Sequence, residues 1–317
     1  MASRKELIEQ AERLRTQINN LYVKRSYKEA IPPAQQALAI HEEVLGPMHP
    51  DTATSLHNLA ELYRATGAYV QAEPLYQRAL AICEQVLGPT HPDTATSLNF
   101  LALLYEATGA HAQAEPLYGR ALSIEESNTV SFLISGSEAR KQAYLSDRKG
   151  SLYIHVSFSI TNPTACSTVL GLTSVLQYKG RVLEAMSDSM ARLRRSLALE
   201  ERVLFERLAA VAQELSTLTF RGPEKLSSEV YRKRLNMLAR EQERLQTELS
   251  SRSAALHQVV TPITLNDVRQ ALTVDSVLVE WVLYEPFNPK AKWSDRWGAP
   301  RYVTYVLKPT GDSVGID

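Results

Sequence analysis

The chain has 317 residues, of which 44% are hydrophobic and 22% are charged, and its 35 lysines and arginines balance its 35 acidic residues. A chain of this length can form two or three units with cores of their own. The balance of charge argues against a nucleic-acid or membrane-surface protein, and no apolar run reaches the roughly 20 residues that a membrane span needs.

The first residues, MASRKELIEQ, lack the apolar segment of a secretory signal. The two cysteines, Cys83 and Cys166, lie far apart and make no disulfide framework. These features predict a cytoplasmic protein.

The first predicted pair of elements covers residues 21–40, LYVKRSYKEAIPPAQQALAI. This stretch matches LYRATGAYVQAEPLYQRALAI, residues 62–82, after the deletion of one residue, but it lacks the glycine of the turn. Terminal copies in repeat proteins are often degenerate, because they have a neighbour on one side only. We therefore expect an N-terminal capping copy here.

Two well-preserved copies follow at residues 41–82 and 83–124, and 31 of their 42 positions are identical. Each copy predicts two helices separated by the turn sequence ATGA. In the first copy, Pro50 suits the first turn of a helix, where a backbone N–H has no intrahelical partner, and Gly67 suits the helix end. The period of 42 residues indicates stacked helical hairpins.

Each copy also contains the sequence HPD, which raises the question of a metal or catalytic site made of His49, Asp51, His91 and Asp93. Equivalent positions in adjacent stacked copies lie about 10 Å apart or more. Zinc needs its ligands within about 2.3 Å of one point. The sequence therefore predicts that HPD starts helices and holds no metal.

Apolar residues recur in both copies in the pattern L-x2-L-A-x2-Y for the first helix and A-x3-Y-x2-A for the second. Alanines that let helices approach closely, with tyrosines that fill the gaps, are typical of helical hairpins. At these residues the chain resembles the tetratricopeptide-repeat family, in the longer variety found in kinesin light chains. The resemblance implies a helical solenoid whose inner surface, lined by the first helix of each copy, binds an extended peptide or a helix of another protein.

The candidate peptide-binding residues lie between the core positions of each first helix. They are Thr54, His57, Asn58, Glu61 and Arg64 in the first copy and Thr96, Asn99, Leu103 and Glu106 in the second. Spacings of three and four residues place His57, Glu61 and Arg64 on one helix face. The family often has an asparagine where Asn58 stands, and such an amide can hold a ligand backbone. The second copy has Phe100 there, which argues against a continuous row of asparagines.

Residues 128–262 predict further helices without another clear copy. The stretch SLYIHVSFSI, residues 151–160, alternates apolar and polar residues and fits a strand or a helix equally well. Two later stretches have leucines at heptad spacing, separated by a helix break at Gly222-Pro223. They are Leu204, Leu208, Val211, Leu215 and Leu218, then Leu235, Leu238, Leu245, Leu249 and Leu256. We expect an antiparallel helical hairpin with a coiled-coil-like seam; a dimerising coiled coil is the alternative.

Residues 263–317 change in character. Thr264 predicts the cap of a short helix with Asp267 in its first turn. The runs DSVLVEWVLYEPF and RYVTYVLKP are rich in β-branched and aromatic residues and predict two strands, with a third beginning at SVGID. A sheet of two or three strands is expected to have little core and to expose its edges.

This tail, with QYKGRVLEAMSDSMARLR before it, resembles the CHAT proteins, in which tetratricopeptide repeats precede a caspase-like α/β domain. The segment VLVEWVLYEPFNPKA…WGAPRYVTYVLKPTGD looks like the first strands of that domain. The resemblance implies a helix at residues 151–160, since the family is helical there. The expected fold is therefore mostly α: a tetratricopeptide solenoid (1–127), a helical region with a hairpin (128–262) and the β start of a CHAT domain (263–317).

The protease activity of CHAT proteins needs a histidine and a cysteine on later strands, where the imidazole activates the thiol. After Ser253 the chain has only His257, which precedes the predicted sheet, and no cysteine follows Cys166. Cys83 falls on the apolar face of a repeat helix, where a small buried thiol is ordinary. The sequence therefore predicts no catalytic residue, no cofactor and no enzyme activity.

The predicted function is a scaffold that binds a protein or peptide ligand and neither nucleic acid nor membrane. The alternative is the regulatory N-terminal part of a CHAT peptidase whose catalytic histidine and cysteine lie downstream or on another chain. A cargo adaptor similar to kinesin light chains is a third interpretation, based on repeat length alone. Self-association through the helical hairpin or through exposed strand edges stays open.

Overall fold

The computed structural model of the protein describes residues 3–135, 138–186, 197–223, 226–252, 263–291 and 295–316. Over these residues the chain forms eleven helices and one three-stranded antiparallel sheet, so the mostly helical fold is confirmed. The chain divides into two compact units. The first unit consists of Met1–Leu117 and Ser227–Arg232, and the second consists of Tyr118–Leu226 and Lys233–Asp317. Within the described ranges, no helix combines the length and the hydropathy that crossing a bilayer requires.

The first unit consists of consecutive helices joined by short turns. They are α1 (Arg4–Val23), α2 (Tyr27–Val44), α3 (Pro50–Ala65), α4 (Tyr69–Ile82, extended by a π-helical turn at Cys83–Leu87), α5 (Pro92–Thr108) and the start of α6 (His111–Ser135). Each of the first four helices packs on the next one along the chain. The two predicted copies and the degenerate copy before them are therefore present as helix pairs.

The repeated HPD sequence starts α3 and α5. The Nδ1 atom of His49 accepts the backbone N–H of Asp51 at 3.2 Å, and His91 does the same for Asp93 at 3.1 Å. This cap satisfies one of the N–H groups that a helix start leaves without an intrahelical partner. The proline in the first turn and the aspartate near the positive end of the helix dipole confirm the predicted role in helix initiation.

Small side chains let the helices of the first unit pack closely. Ala30, Ala34 and Ala37 of α2 are buried in one cluster with Leu59 and Leu62 of α3. Burying a leucine-sized side chain contributes about 1.5–3 kcal/mol, and an alanine opposite it lets the two helices approach. Alanines of α2 therefore pack against leucines of α3 in this core.

The second unit contains the end of α6, four further helices, most of a fifth helix, and the sheet. These elements are α7 (Glu138–Thr161), α8 (Ala165–Met186), α9 (Leu199–Arg221), α10 (Ser228–Arg252), α11 (Leu265–Ala271), β1 (Leu278–Tyr284), β2 (Arg301–Leu307) and β3 (Val314–Ile316). The helix expected at residues 151–160 is confirmed as part of α7. Its alternating serines fit a helix because Ser157 and Ser159 donate their hydroxyls to backbone carbonyls of the preceding turn.

The helices α9 and α10 run antiparallel, as predicted for the two leucine-rich stretches. Three ion pairs join the two helices: Glu200–Arg252, Arg207–Glu241 and Glu214–Arg234. From the first pair to the last, the residue number rises along α9 and falls along α10. Leu208, Leu245 and Leu249 are fully buried in one apolar cluster. Leu256, the last residue of the predicted seam, lies outside the described residues.

The short helix α11 begins at the predicted cap. The Oγ1 atom of Thr264 accepts the backbone N–H of Asp267 at 3.2 Å. Leu265 and Val268 then pack against the cluster that also holds the sheet. The helix therefore leads the chain into the sheet.

The sheet has the strand order β1-β2-β3, and one of its faces packs on α7 and α8. Val303, Tyr305 and Leu307 of β2 are fully buried there with Leu152 of α7. The Tyr305 hydroxyl also forms a hydrogen bond with Ser159 Oγ. The small core expected for an isolated sheet is therefore enlarged, because helices of the middle region supply its other half.

Candidate functional site

A pocket of about 260 Å³ opens between α1, α2 and α3 in the first unit. Its base is made of small side chains, Ala11 of α1 and Ala34 and Ala37 of α2, and aliphatic residues such as Ile8 and Leu45 line its walls. At Ala34, where the next copy has the much larger Tyr76, the small side chain leaves a depression between the three helices.

The rim of the pocket is polar and carries both signs of charge. Thr54 and Asn58 of α3 and Glu12 and Arg15 of α1 are exposed residues of its lining. Asp51, in the first turn of α3, adds a second carboxylate. An apolar base with a few polar groups around it is the arrangement by which protein pockets hold and orient a ligand.

A neutral histidine completes the lining. His41 is half-buried, with its Nδ1 atom 2.7 Å from Ser55 Oγ. Burial lowers the pKa of His41, and the nearby Asp51 carboxylate opposes this shift only in part. At neutral pH the imidazole therefore adds a polar but uncharged group to the pocket.

The corresponding junction one repeat later is filled by aromatic rings. Tyr76 and Phe100 stand 42 residues after Ala34 and Asn58, and their rings stack with centroids 5.9 Å apart. The ring of His57 packs on both, at 5.3 Å from Phe100 and 5.8 Å from Tyr76. Two substitutions between copies therefore change an open position into packed core.

The nine residues predicted from the sequence divide by exposure. Thr54, Asn58 and Thr96 are exposed, and the first two line the pocket. Thr96 occupies in α5 the position of Thr54 in α3, and each hydroxyl donates to the carbonyl of the proline four residues earlier. The other six are buried or half-buried: His57, Glu61, Arg64, Asn99, Leu103 and Glu106.

His57 makes an internal hydrogen bond. Its Nε2 atom lies 2.8 Å from the hydroxyl of Ser97, which in turn donates to the Asp93 carbonyl at 2.8 Å. Because the Ser97 hydroxyl donates its only proton to the Asp93 carbonyl, it can only accept from His57, so the Nε2–H group of His57 is the donor. Burial lowers the pKa of His57 to about 4, so the ring is neutral at physiological pH.

Glu61 and Arg64 form a hydrogen-bonded ion pair inside the first unit. Arg64 donates through Nε and Nη2 to the two carboxylate oxygens at 2.9 and 2.7 Å. The hydroxyls of Tyr22 in α1 and Tyr76 in α4 donate to the same carboxylate at 3.0 and 2.9 Å. Burial disfavours the charge on Arg64, but Glu61 outweighs burial and raises the pKa of the guanidinium. These groups therefore hold α1, α3 and α4 together.

Asn99, Leu103 and Glu106 are buried on α5, contrary to the exposure expected of groove residues. The reason is the composition of α5, where Leu101 and Leu104 accompany Leu103 and apolar residues occur on every side of the helix. A helix that is apolar all round is buried. Their part in peptide binding stays a prediction.

Sequence reasoning missed the contributions of α1 and α2 to the pocket. Glu12 and Arg15 precede residue 21, where the degenerate copy was first recognisable, so no pattern marked them. Ala34 did carry a signal, because the well-preserved copy has Tyr76 at the same place. A small residue where a repeat usually has a large one indicates an opening between helices.

The described part of the chain holds no cluster of three or more histidine, cysteine, aspartate or glutamate side chains suited to a metal ion. The rings of His49 and His91 act as helix caps instead. Burial raises the pKa of the Cys83 thiol to about 11, so it is protonated at neutral pH and a poor nucleophile. The described residues therefore offer neither a metal cluster of this kind nor an activated thiol at Cys83.

Comparison with known families identifies the repeats. The family model of the tetratricopeptide repeat matches residues 18–81 and 57–127. These residues are tetratricopeptide repeats. The matched segment starts inside α1 and ends inside α6, so α2 and α3 of the pocket belong to the tetratricopeptide repeats.

Two solved structures of nearly identical TPR-like repeats, described as a kinesin light chain of Podosopora anserina, are similar to this chain at 20% identity. The match with the first structure covers 80% of this chain and 100% of the other chain, with a TM-score of 0.43. The match with the second, the structure of a Q17M variant, covers 62% of this chain and 96% of the other chain, with a TM-score of 0.34. No curated protein matches the sequence.

Proposed function

We propose that the chain is a protein–protein interaction scaffold that binds a peptide or a helix of a partner protein at the junction of α1, α2 and α3. Tetratricopeptide repeats generally serve as modules for protein–protein interaction, and residues 18–127 are such repeats. The observation that carries the proposal is the open pocket at this junction, since aromatic rings fill the equivalent place one repeat later.

The lining of the pocket favours a peptide with an aliphatic side chain. Ala11, Ala34 and Ala37 offer an apolar base, and burying one aliphatic side chain there would contribute about 1.5–3 kcal/mol. The exposed amide of Asn58 and the hydroxyl of Thr54 can hydrogen-bond to the peptide backbone beside that side chain. The apolar base thus supplies affinity, and the polar rim fixes the orientation of the peptide.

Charge adds a preference for the neighbouring residue of the peptide. Glu12 and Asp51 place two carboxylates on the rim, against the single guanidinium of Arg15. A basic residue next to the aliphatic one is therefore favoured over an acidic one.

The experiment selects ligands from a phage-displayed library of random peptides on the immobilised full chain and measures the selected peptides by titration calorimetry. N58A should weaken binding about five- to tenfold, because it removes one hydrogen bond worth about 1–1.5 kcal/mol. The matched control is N20A, since Asn20 is an exposed asparagine of α1 outside the pocket lining. N20A should bind like the wild type, and neither variant should change the melting temperature noticeably.

The proposal predicts that the selected peptides share an aliphatic residue beside a basic one. Peptides that bind N58A as tightly as the wild type would place the ligand elsewhere. A selection that yields no binding peptide would contradict peptide recognition by this groove.

A second candidate function is the regulatory part of a CHAT peptidase. It is supported by the tail, whose strands β1 and β2 fall in the segment that resembles the first strands of a CHAT domain. Sequencing the coding region past codon 317 for an in-frame histidine and cysteine tests it. Their absence there would remove the support for a peptidase encoded in one chain.

We also propose a cytoplasmic location. The two cysteines, buried Cys83 and exposed Cys166, are both free thiols. Free thiols persist in a reducing compartment. Fractionation of cells that produce the chain would test this, and recovery with secreted proteins would contradict it.

A further inference from the structure

The sheet has a second face, opposite the one packed on α7 and α8, which we call the outer face. Its large side chains are Val279, Trp281, Leu283, Tyr302, Val314 and Ile316, each between 41% and 67% exposed. Leu283 lies opposite Tyr302 in the register of β1 and β2, and Trp281 lies opposite Thr304. In the register, Thr304 lies between Trp281 and Ile316, and Val306 lies between Val279 and Val314, so the described outer face is apolar except for the Thr304 hydroxyl.

Among the described residues of the three strands, no charged side chain lies on the outer face. Glu280 belongs to the opposite face, where it pairs with Lys179 of α8. Both signs of charge occur at the strand ends, where Arg301 and Lys308 accompany Asp312. A surface without charge, bordered by both signs, does not repel a copy of itself, whereas a nucleic acid or a strongly charged partner would require complementary charge.

The edges of the sheet offer less than its face. The ammonium of Lys179 donates to the backbone carbonyl of Trp281 in β1 at 2.7 Å. A lysine at the edge of a sheet disfavours pairing with a further strand. At the other edge, Arg269 of α11 donates to the Gly311 carbonyl and to the Ser313 hydroxyl just before β3, so a charged side chain stands there as well. We therefore favour the outer face over the strand edges as the surface for association.

We propose that the outer face binds the same face of a second copy of this chain in a two-fold symmetric dimer. Trp281, Tyr302 and the four aliphatic residues together expose roughly 600 Å², so two copies could bury at most roughly 1,200 Å², the lower end of stable interfaces. Two sheets stacked face to face, about 10 Å apart, let such side chains interdigitate as in a β-sandwich. A two-fold axis lets the same patch serve both copies.

The test measures the mass of the full chain by sedimentation velocity over a hundredfold range of concentration. The wild type should form a dimer as the concentration rises. W281K and Y302K should each weaken dimerisation at least tenfold, because each places a charge in the centre of the apolar contact. The matched control is M237K, since Met237 of α10 is 63% exposed and Trp281 is 64% exposed. M237K should dimerise like the wild type.

Tryptophan fluorescence gives an independent readout. The emission of the wild type should move to shorter wavelength as the dimer forms, and W281K should not show this change. A wild type that stays a monomer at every concentration overturns the proposal, and the outer face would then be a surface for a different protein. A dimer that persists unchanged in both W281K and Y302K also overturns it, since association would then use another surface.

Discussion

Replacement of Glu61 by alanine tests how the first unit is held together. The side chain of Arg64 is 2% exposed and that of Glu61 is 12% exposed. The carboxylate accepts two hydrogen bonds from Arg64 and one each from Tyr22 and Tyr76. Removing one partner of a buried ion pair costs about 3–5 kcal/mol, because the remaining charge stays buried without its counter-charge.

A loss of this size is a large part of the roughly 5–15 kcal/mol by which a domain is stable. We expect E61A to lower the melting temperature by roughly 10 °C or more. Urea unfolding followed by circular dichroism should give the corresponding loss in free energy. R64A should cost less, because the half-buried carboxylate would keep the hydroxyl donors of Tyr22 and Tyr76.

The matched control is E43A, because Glu43 is an exposed glutamate of α2, and substitutions at such positions usually stay within about 0.5 kcal/mol. A loss for E61A as small as that for E43A would refute the buried ion pair. The same reasoning excludes Glu61 as a probe of ligand binding, since its substitution changes the stability of the first unit.

Two further predictions concern pH and the sheet. The free energy of unfolding should fall as the pH drops from 6.5 towards 4, because the pKa of His57 is about 4 in the folded chain and the unfolded chain takes up the proton first. H57Q should lessen this fall by up to about 3 kcal/mol. An unaltered pH profile in H57Q would argue against the buried ring. L307A should destabilise the chain by about 2–5 kcal/mol in urea unfolding, because Leu307 is fully buried on the inner face of the sheet. The control L199A removes a side chain that is 76% exposed and should cost little; equal losses would mean that the sheet lies outside the core.

The repeat architecture could be predicted because the information is local and periodic. The proline and aspartate of HPD start a helix by their own backbone geometry and charge, and Gly67 and Gly109 allow the positive φ of the turns, 79° and 82°. The 42-residue period then fixes the order of the helices. The capping bond of the histidine ring to the aspartate N–H was not predicted, because histidine is not among the preferred cap residues.

The exposure of the candidate residues could not be predicted from their spacing. Glu61 and Arg64 have the separation of an ordinary surface pair, and only the tyrosines of α1 and α4 show that the pair is internal. His57 likewise looks like a groove residue until Phe100 and Tyr76 surround its ring. The burial of a side chain depends on which side chains the neighbouring helices place around it, and the sequence of one helix does not contain that information.

The sheet shows the same division between local and tertiary information. Its β-branched and aromatic runs predicted the strands and the alternation of side chains between two faces. Which face meets α7 and α8 follows from contacts such as that of Tyr305 with Ser159, 146 residues apart in the chain. The pattern of β1 and β2 is apolar on both faces, so alternation alone could not choose between them.

The most direct test of peptide binding at the first junction is titration calorimetry of a selected peptide with T54W and T96W. Both threonines are exposed, occupy the same position in successive repeats and make the same bond to a proline carbonyl, but only Thr54 lines the pocket. A tryptophan at residue 54 should close the pocket and weaken binding at least tenfold, whereas T96W should bind like the wild type. Unchanged binding by T54W, or an equal loss in both variants, would contradict a ligand site at this junction.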